Sequence, residues 1–230
     1  MLLNFLPTGS NKATEYYADQ AINVAKIGYV SGMPTFIANN PRFAADAEKN
    51  HVPIIGDDIK SQLGGTILHR ALIDCMNQRG ISLTRTYQMN YAGNTDFKNM
   101  LEGADRRIDQ KIASKERGVS AFLEKGVSIS GVGGVVPNMG DSKTTIFHFE
   151  GFNYAGTPLT FKGILEVEDS PNFAGTMSEA VRYAKIALDR KTGGVLESAS
   201  AFLMKSPPRQ IRDDIAVQML KEFVEGKRER

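Results

Sequence analysis

The residues best placed to do chemistry form one string, Gly56-Asp57-Asp58-Ile59-Lys60-Ser61-Gln62-Leu63-Gly64-Gly65-Thr66. The apolar run Val52-Pro53-Ile54-Ile55 ends in two carboxylates, then a lysine, a hydroxyl and an amide, and two glycines precede a helical pattern. In open α/β sheets, ligands bind beyond the carboxyl ends of strands. Backbone N–H groups at a helix start attract phosphate, and glycine lets a ligand come close. The string also reads without a ligand, with Asp57 capping the turn and Lys60 paired to it. Four further lysines carry chemical potential. Lys111 and Lys115 stand four apart, so on a helix they share a face and repel by about 0.2–0.5 kcal/mol; spacing alone makes this a solvated basic face. Lys143 follows Gly140-Asp141-Ser142, and Lys205 ends the apolar Ala201-Phe202-Leu203-Met204 before Ser206-Pro207-Pro208. An amine in apolar surroundings has its pKa lowered, which suits proton transfer.

Other chemical signals are weaker. Gly131-Val132-Gly133-Gly134 is followed by Val135-Val136-Pro137, so it does not open a helix as a dinucleotide fingerprint must; it reads as a flexible connector. His51, His69 and His148 lack metal-ligand spacing and read as structural. Cys75 falls on the apolar face of a helical pattern and reads as core. No Ser/His/Asp or Cys/His arrangement is legible.

The elements that must hold these residues alternate. Leu2 to Leu6 is a short apolar run, and Pro7-Thr8-Gly9-Ser10 breaks it. Helical spacing covers 12–26, with short strand-like pieces at 28–31 and 35–38. A second helix opens at Asn40-Pro41 and ends near Asn50, before the strand at 52–55. Strands alternating with such helices predict a parallel, doubly wound sheet. Farther on, the pattern predicts a helix over 65–78 with Ile67, Leu68, Ala71, Leu72 and Cys75 on its inner face, stopped at Gly80. It then predicts a strand over 83–90, a helix over 97–112, and strands at 144–151 and 163–167 joined by a turn. Helices opening at Thr176 and spanning about 213–224 complete the reading. The chain has 230 residues, 41% hydrophobic and 23% charged, and a net charge of +2. That is long enough for a real core, and too weakly charged for a nucleic-acid or membrane footprint. No run approaches the roughly 20 apolar residues of a membrane helix. One cysteine excludes an intramolecular disulfide and suits a reducing cytoplasm.

Taken together, several segments resemble the myo-inositol-1-phosphate synthase family, archaeal type. They are the 56–66 string, His69-Arg70, Thr86-Tyr87-Gln88, Gly93-Asn94-Thr95-Asp96-Phe97, Asn99-Met100-Leu101-Glu102, Ser114-Lys115, Glu168-Asp169-Ser170-Pro171-Asn172 with Ala174-Gly175, Ala187-Leu188-Asp189-Arg190, and Met204-Lys205 with Pro207-Pro208. The resemblance implies NAD-dependent conversion of glucose 6-phosphate to inositol 1-phosphate: oxidation at C5, enolisation, intramolecular aldol closure and re-reduction. It implies that Lys111, Lys115, Lys143 and Lys205 share one active site. Lys115 would hold phosphate with Ser61, Gly65 and Thr66; Lys111 and Lys205 would serve the C5 oxygen; Lys143 would stabilise the developing O1 alkoxide. Asp58 would lie near nicotinamide and Lys111, and Asp169 near Lys205. Asn94 would line the sugar, and Asp96 is the expected ligand of a divalent cation. Thr8, Gly9, Asp57, Asp58 and Lys60 would face the cofactor.

The resemblance also implies the organisation. Residues 1–62 form the later part of a Rossmann-like parallel sheet, 63–168 an inserted α+β domain for catalysis and tetramerisation, and 169–230 a helical return. The family's G-x-G-x-x-G lies upstream of the first motif seen here. The chain is therefore expected to bind NAD weakly or not at all by itself, and to self-associate, pair with an upstream NAD-binding fragment or be poorly soluble. Two rival readings stay open: a phosphosugar-binding or oligomerisation module without NAD, and a Schiff-base aldolase using one lysine.

Overall fold

The structure, a computed structural model, describes residues 1–102, 119, 123 and 131–230. It is mixed α/β, with one parallel and one mostly antiparallel sheet, and it divides into two units.

The first unit holds residues 1–60 and 174–230. Its strands β1 (Leu2–Asn4), β2 (Tyr29–Ser31), β3 (Pro53–Ile55) and, late in the chain, β8 (Gly194–Val195) lie in the order β1-β2-β3-β8, all parallel. β2 and β3 are buried throughout, which is why they read as continuous apolar runs rather than alternating ones. Helix α1 (Asn11–Asp19) continues as a π turn to Val24, and α2 (Pro41–Lys49) returns. The Asn40 side chain accepts the Arg42 N–H with Pro41 in the first turn, the start predicted for α2. Ala18, Ile22, Ile37, Phe43, Ala47 and Ile54 form the core. The strand expected at 35–38 is absent. Those residues form turns and bends, because the N–H groups of Ile37 and Ala38 donate to the Asp57 carboxylate instead of to a neighbouring strand.

The second unit holds residues 61–173. Helix α3 (Gly65–Gln78) runs over its predicted span, and Gly80 has the positive φ of a helix stop. β4 (Ser82–Ala92), β5 (Gly131–Val135), β6 (Ser142–Phe152) and β7 (Pro158–Glu168) form a sheet in the order β5-β4-β6-β7. The glycine-rich segment expected as a flexible connector is therefore strand β5, parallel to β4. Helix α4 (Thr95–Glu102) follows β4. Helix α5 (Asp169–Asp189) leaves this unit for the first and starts well before Thr176, since Pro171 in a first turn has no intrahelical N–H bond to forfeit. Short α6 (Glu197–Leu203) and α7 (Asp213–Val224) end the first unit.

The buried face of α3 differs from the one expected. Thr66, His69, Arg70, Ile73 and Met76 face inward, while Ala71 and Cys75 are exposed. Hydropathy hid this because two polar side chains sit at its centre. His69 packs edge-on against Phe147 and Phe149, at 5.9 and 4.9 Å between ring centroids. Its Nε2 lies 2.7 Å from the Thr86 hydroxyl, which donates its own proton to the His148 carbonyl. Nε2 must then carry the ring proton, leaving Nδ1 buried with no hydrogen-bond partner. A second proton at Nδ1 would have no acceptor, and burial holds the ring down at about 4.

The consequence for stability has a definite sign. Between pH 6.5 and 4 the unfolded chain binds a proton that the folded ring refuses, so acid favours unfolding. Lowering the pH from 7 to 5 should cost on the order of 2 kcal/mol through this residue. Urea midpoints of wild type and His69→Gln, which keeps a donor for Thr86, measure it: the variant's acid sensitivity should be smaller by that amount. Equal pH dependence in both would refute the assignment.

Candidate functional site

In the first unit, the site begins where β3 ends. Residues 57–60 meet residues 203–206 in a short antiparallel exchange. Asp57 and Ser206 each donate an N–H to the other's carbonyl, Lys205 N–H donates to Asp58 O, Lys60 N–H donates to Leu203 O, and Ile59 bridges Met204. This register puts Lys205 opposite Asp58. The Lys205 ammonium donates to Asp58 Oδ1 at 2.8 Å, with the side chains 14% and 1% exposed. An ion pair so far removed from water loses several kcal/mol of hydration per partner and persists because both are held in place.

Its two neighbours do the holding. Asp57 is fully buried, and its carboxylate accepts from the N–H groups of Ile37, Ala38 and Asn39 and from the Asn39 side-chain amide, which also donates to Ser206 O. Burial pushes the Asp57 carboxyl up to about 6, against the pull of those donors. Lys60 is 1% exposed. Its ammonium donates to the carbonyls of Ala201 and Phe202, at the end of α6, and to Asp213 at 3.2 Å. Cations at a helix C-terminus are favoured by its dipole and its unsatisfied carbonyls. Asp57 and Lys60, expected at the cofactor, thus have internal tasks. Thr8 and Gly9 follow β1. Gly9 has φ 95°, and the buried Thr8 hydroxyl finds no hydrogen-bond partner.

In the second unit, the first turn of α5 gathers the remaining residues. The Lys143 ammonium donates to Asp169 Oδ1 at 2.7 Å, with side chains 14% and 17% exposed, and lies 5.9 Å from the Phe97 ring centroid. Asn94 Oδ1 accepts the Phe97 N–H, capping α4, and its amide donates to Asp169 Oδ2 and Asp141 Oδ1. Asn172 exchanges hydrogen bonds with Leu63, and its carbonyl accepts the Gln62 N–H, fastening the stretch that carries Ser61. Gly65 and Thr66 are buried at the start of α3. A Cβ on Gly65 would stand 2.5 Å from Gln88 Oε1 and 3.0 Å from Thr145 Cγ2, so a larger residue would have to displace the Gln88 amide. A Cβ on Gly93 would meet Gly140 N at 2.5 Å and Val136 O at 2.6 Å, so the segments bearing Asn94 and Asp141 touch backbone to backbone.

The resemblance placed Asp169 by Lys205 and Asp58 by Lys111. Within the first unit Lys205 meets Asp58, and within the second Lys143 meets Asp169. Lys111 and Lys115 lie outside the described residues. Asp96 sits in the first turn of α4, and no group of metal-holding side chains exists among the described residues. Sequence reasoning missed Asp141. Its partners Asn94 and Ser170 stand 47 and 29 positions away, and no local pattern encodes such contacts. Among the described residues, no helix is long and apolar enough to cross a membrane.

Residues 64–170 match the family model described as myo-inositol-1-phosphate synthase. The inositol-3-phosphate synthase of Mycolicibacterium smegmatis is 45% identical over 235 residues, covering 98% of this chain and 64% of its own length. The crystal structure of Ari2 has a TM-score of 0.75 at 32% identity, over 96% of this chain and 62% of that one. A myo-inositol-1-phosphate synthase-related protein from Thermotoga maritima has a TM-score of 0.75 at 25% identity, over 95% of this chain and 58% of its own. The chain therefore spans less than two thirds of these relatives' lengths. The motifs resemble the archaeal branch, whereas the curated relatives are bacterial.

Removing Asp57 should be costly. Asp57→Ala leaves three backbone N–H groups and the Asn39 amide without their acceptor, a loss of about 3 kcal/mol. Equilibrium denaturation measures it, and a change under about 1 kcal/mol would contradict the role given to this carboxylate.

Proposed function

The chain belongs to the myo-inositol-1-phosphate synthase family, and from that premise we propose that it carries out the family's sugar cyclisation, turning glucose 6-phosphate into inositol 1-phosphate, as a cytoplasmic homotetramer. One observation supports this reading above the rest. Two lysine–aspartate pairs, Lys205 with Asp58 and Lys143 with Asp169, are nearly buried, and all four residues are ones that the resemblance assigns to the active site. Oriented amines of this kind exchange protons and stabilise oxyanions, the two needs of an enolisation followed by an aldol closure.

Lys205, fixed by Asp58, would donate to the C5 oxygen and take part with Lys111 in its proton transfers. Lys143, fixed by Asp169, would stabilise negative charge on O1 as the C6 carbanion attacks C1. The start of α3 would hold the phosphate through Ser61, Gly65 and Thr66 with Lys115, where backbone N–H groups and the helix dipole favour an anion. Asn94 would line the sugar. NAD, when bound, supplies a reversible oxidation at C5 with no net redox change. The unpartnered Thr8 hydroxyl and the open φ of Gly9 fit that group; Asp57 and Lys60, spent inside the fold, do not, and Asp58 is turned to Lys205. No donor set among the described residues supports a step through a divalent cation.

The test is formation of inositol phosphate by the purified protein with NAD and glucose 6-phosphate. Lys143→Ala and Lys205→Ala should each lower kcat by about 10²–10⁴-fold. Because Lys205→Ala strands a buried carboxylate, Lys205→Arg is its companion. Arginine keeps the ion pair but does not give up its proton, so that variant should fold and still lose turnover. Near-normal kcat in any of the three would overturn the role assigned to that residue. Borohydride added during turnover should trap no lysine adduct; a trapped one would favour a Schiff-base aldolase instead.

A further inference from the structure

The Lys143–Asp169 pair has a second layer of support that the reading above does not use. Asp169 engages Lys143 through Oδ1, and its Oδ2 receives an N–H from Asn94. The other amide proton of Asn94 goes to Asp141 Oδ1. Since Asn94 Oδ1 accepts the Phe97 N–H, the amide has one orientation, and both its protons are committed to carboxylates. Asp141 also grips the start of α5. Its Oδ2 accepts the Ser170 N–H at 2.9 Å, its Oδ1 the Ser170 hydroxyl at 2.9 Å, and its carbonyl the Asp169 N–H at 3.0 Å.

We propose that Asp141 is a positioning residue for Lys143, acting through Asn94 on the Asp169 carboxylate. The physical reason is rotational. A carboxylate held by one ammonium can swing about its χ angles, but one whose second oxygen is also bonded cannot. Asn94 supplies that second bond only while its own amide is anchored from the far side, and Asp141 is the anchor. Gly93, pressed against Gly140 and Val136 with no room for a Cβ, keeps donor and anchor at this spacing. The catalytic meaning of the arrangement rests on the role proposed above for Lys143; the geometric claim does not.

Two functions of Asp141 can be separated by chemistry. In Asp141→Asn, the amide oxygen can still take the Ser170 N–H and so cap α5. Its NH₂ then faces the Asn94 NH₂, donor against donor, and the link to Asn94 is lost. The probe is acetic anhydride, which labels unprotonated amines, with labelling at Lys143 and Lys205 read by peptide mass spectrometry in the intact protein. Lys205 pairs with Asp58 in the first unit and serves as the internal reference. Asp141→Asn should raise the Lys143:Lys205 labelling ratio about threefold or more while the thermal midpoint stays near wild type. Asn94→Ser, which keeps a cap for α4 but removes the bridging amide, should raise it by a similar factor. The double variant should match the singles, because both cut the same chain of bonds.

A ratio unchanged in Asp141→Asn, or effects that multiply in the double variant, would overturn the proposal and leave Asp141 as a helix cap. With NAD and glucose 6-phosphate, Asp141→Asn should lower kcat about tenfold with KM within twofold. Raised labelling with undiminished kcat would uphold the positioning and instead overturn the catalytic role of Lys143.

Discussion

An ammonium and a carboxylate moved out of water each lose hydration worth several kcal/mol, and their mutual attraction restores it only when the geometry is good and the leftover donors and acceptors are satisfied. Each unit of this chain is built around one such pair. Lys205 and Asp58 are nearly sealed in the first, Lys143 and Asp169 in the second. Much of what surrounds them follows from that requirement. Residues 57–60 and 203–206 exchange backbone hydrogen bonds so that acid and amine stand opposite one another. Asp57 draws three consecutive N–H groups onto itself, and Lys60 anchors the end of α6 from beneath.

The two supports differ in kind. In the first unit the pair is held mainly by backbone, through a β-like ladder whose register leaves little choice of partner. In the second it is held by side chains, a relay from Asp141 through Asn94 to Asp169. Side-chain relays of this sort are sensitive to single substitutions, since each member satisfies another. Backbone ladders are not, because a changed side chain leaves their hydrogen bonds in place. The second unit's site should therefore be the more easily damaged by conservative changes, and the first unit's site by changes that alter the chain's path.

Other polar groups serve the fold at the expense of chemistry. His69, at the centre of the α3 face, stays neutral because burial disfavours the charged ring and a proton on its remaining nitrogen would find no acceptor. It behaves as an aromatic core residue with one hydrogen bond, edge-on to Phe147 and Phe149. Lys60 and Asp57 look chemically potent in the sequence, but each has its hydrogen-bonding capacity spent within the first unit.

Much of this was legible in the sequence. Helices α2, α3 and α7 fall close to their predicted spans, because caps, glycine stops and apolar spacing are local signals. The parallel character of the first sheet followed from short apolar runs alternating with helices, and the family resemblance drew attention to Lys143, Lys205, Asp58 and Asp169 as a set. Tertiary structure decided the rest. It made residues 35–38 a loop because an acid far along the chain outcompeted a neighbouring strand for their N–H groups, and it made 131–135 a strand because β4 offered an edge. It turned α3 so that His69 and Arg70 face inward, with His69 set against Phe147, Phe149 and the Thr86 hydroxyl on the sheet. It also chose which aspartate meets which lysine. Composition and spacing say that acids and amines are present; only the folded register, across 147 positions for Lys205 and Asp58 and 26 for Lys143 and Asp169, says which of them touch.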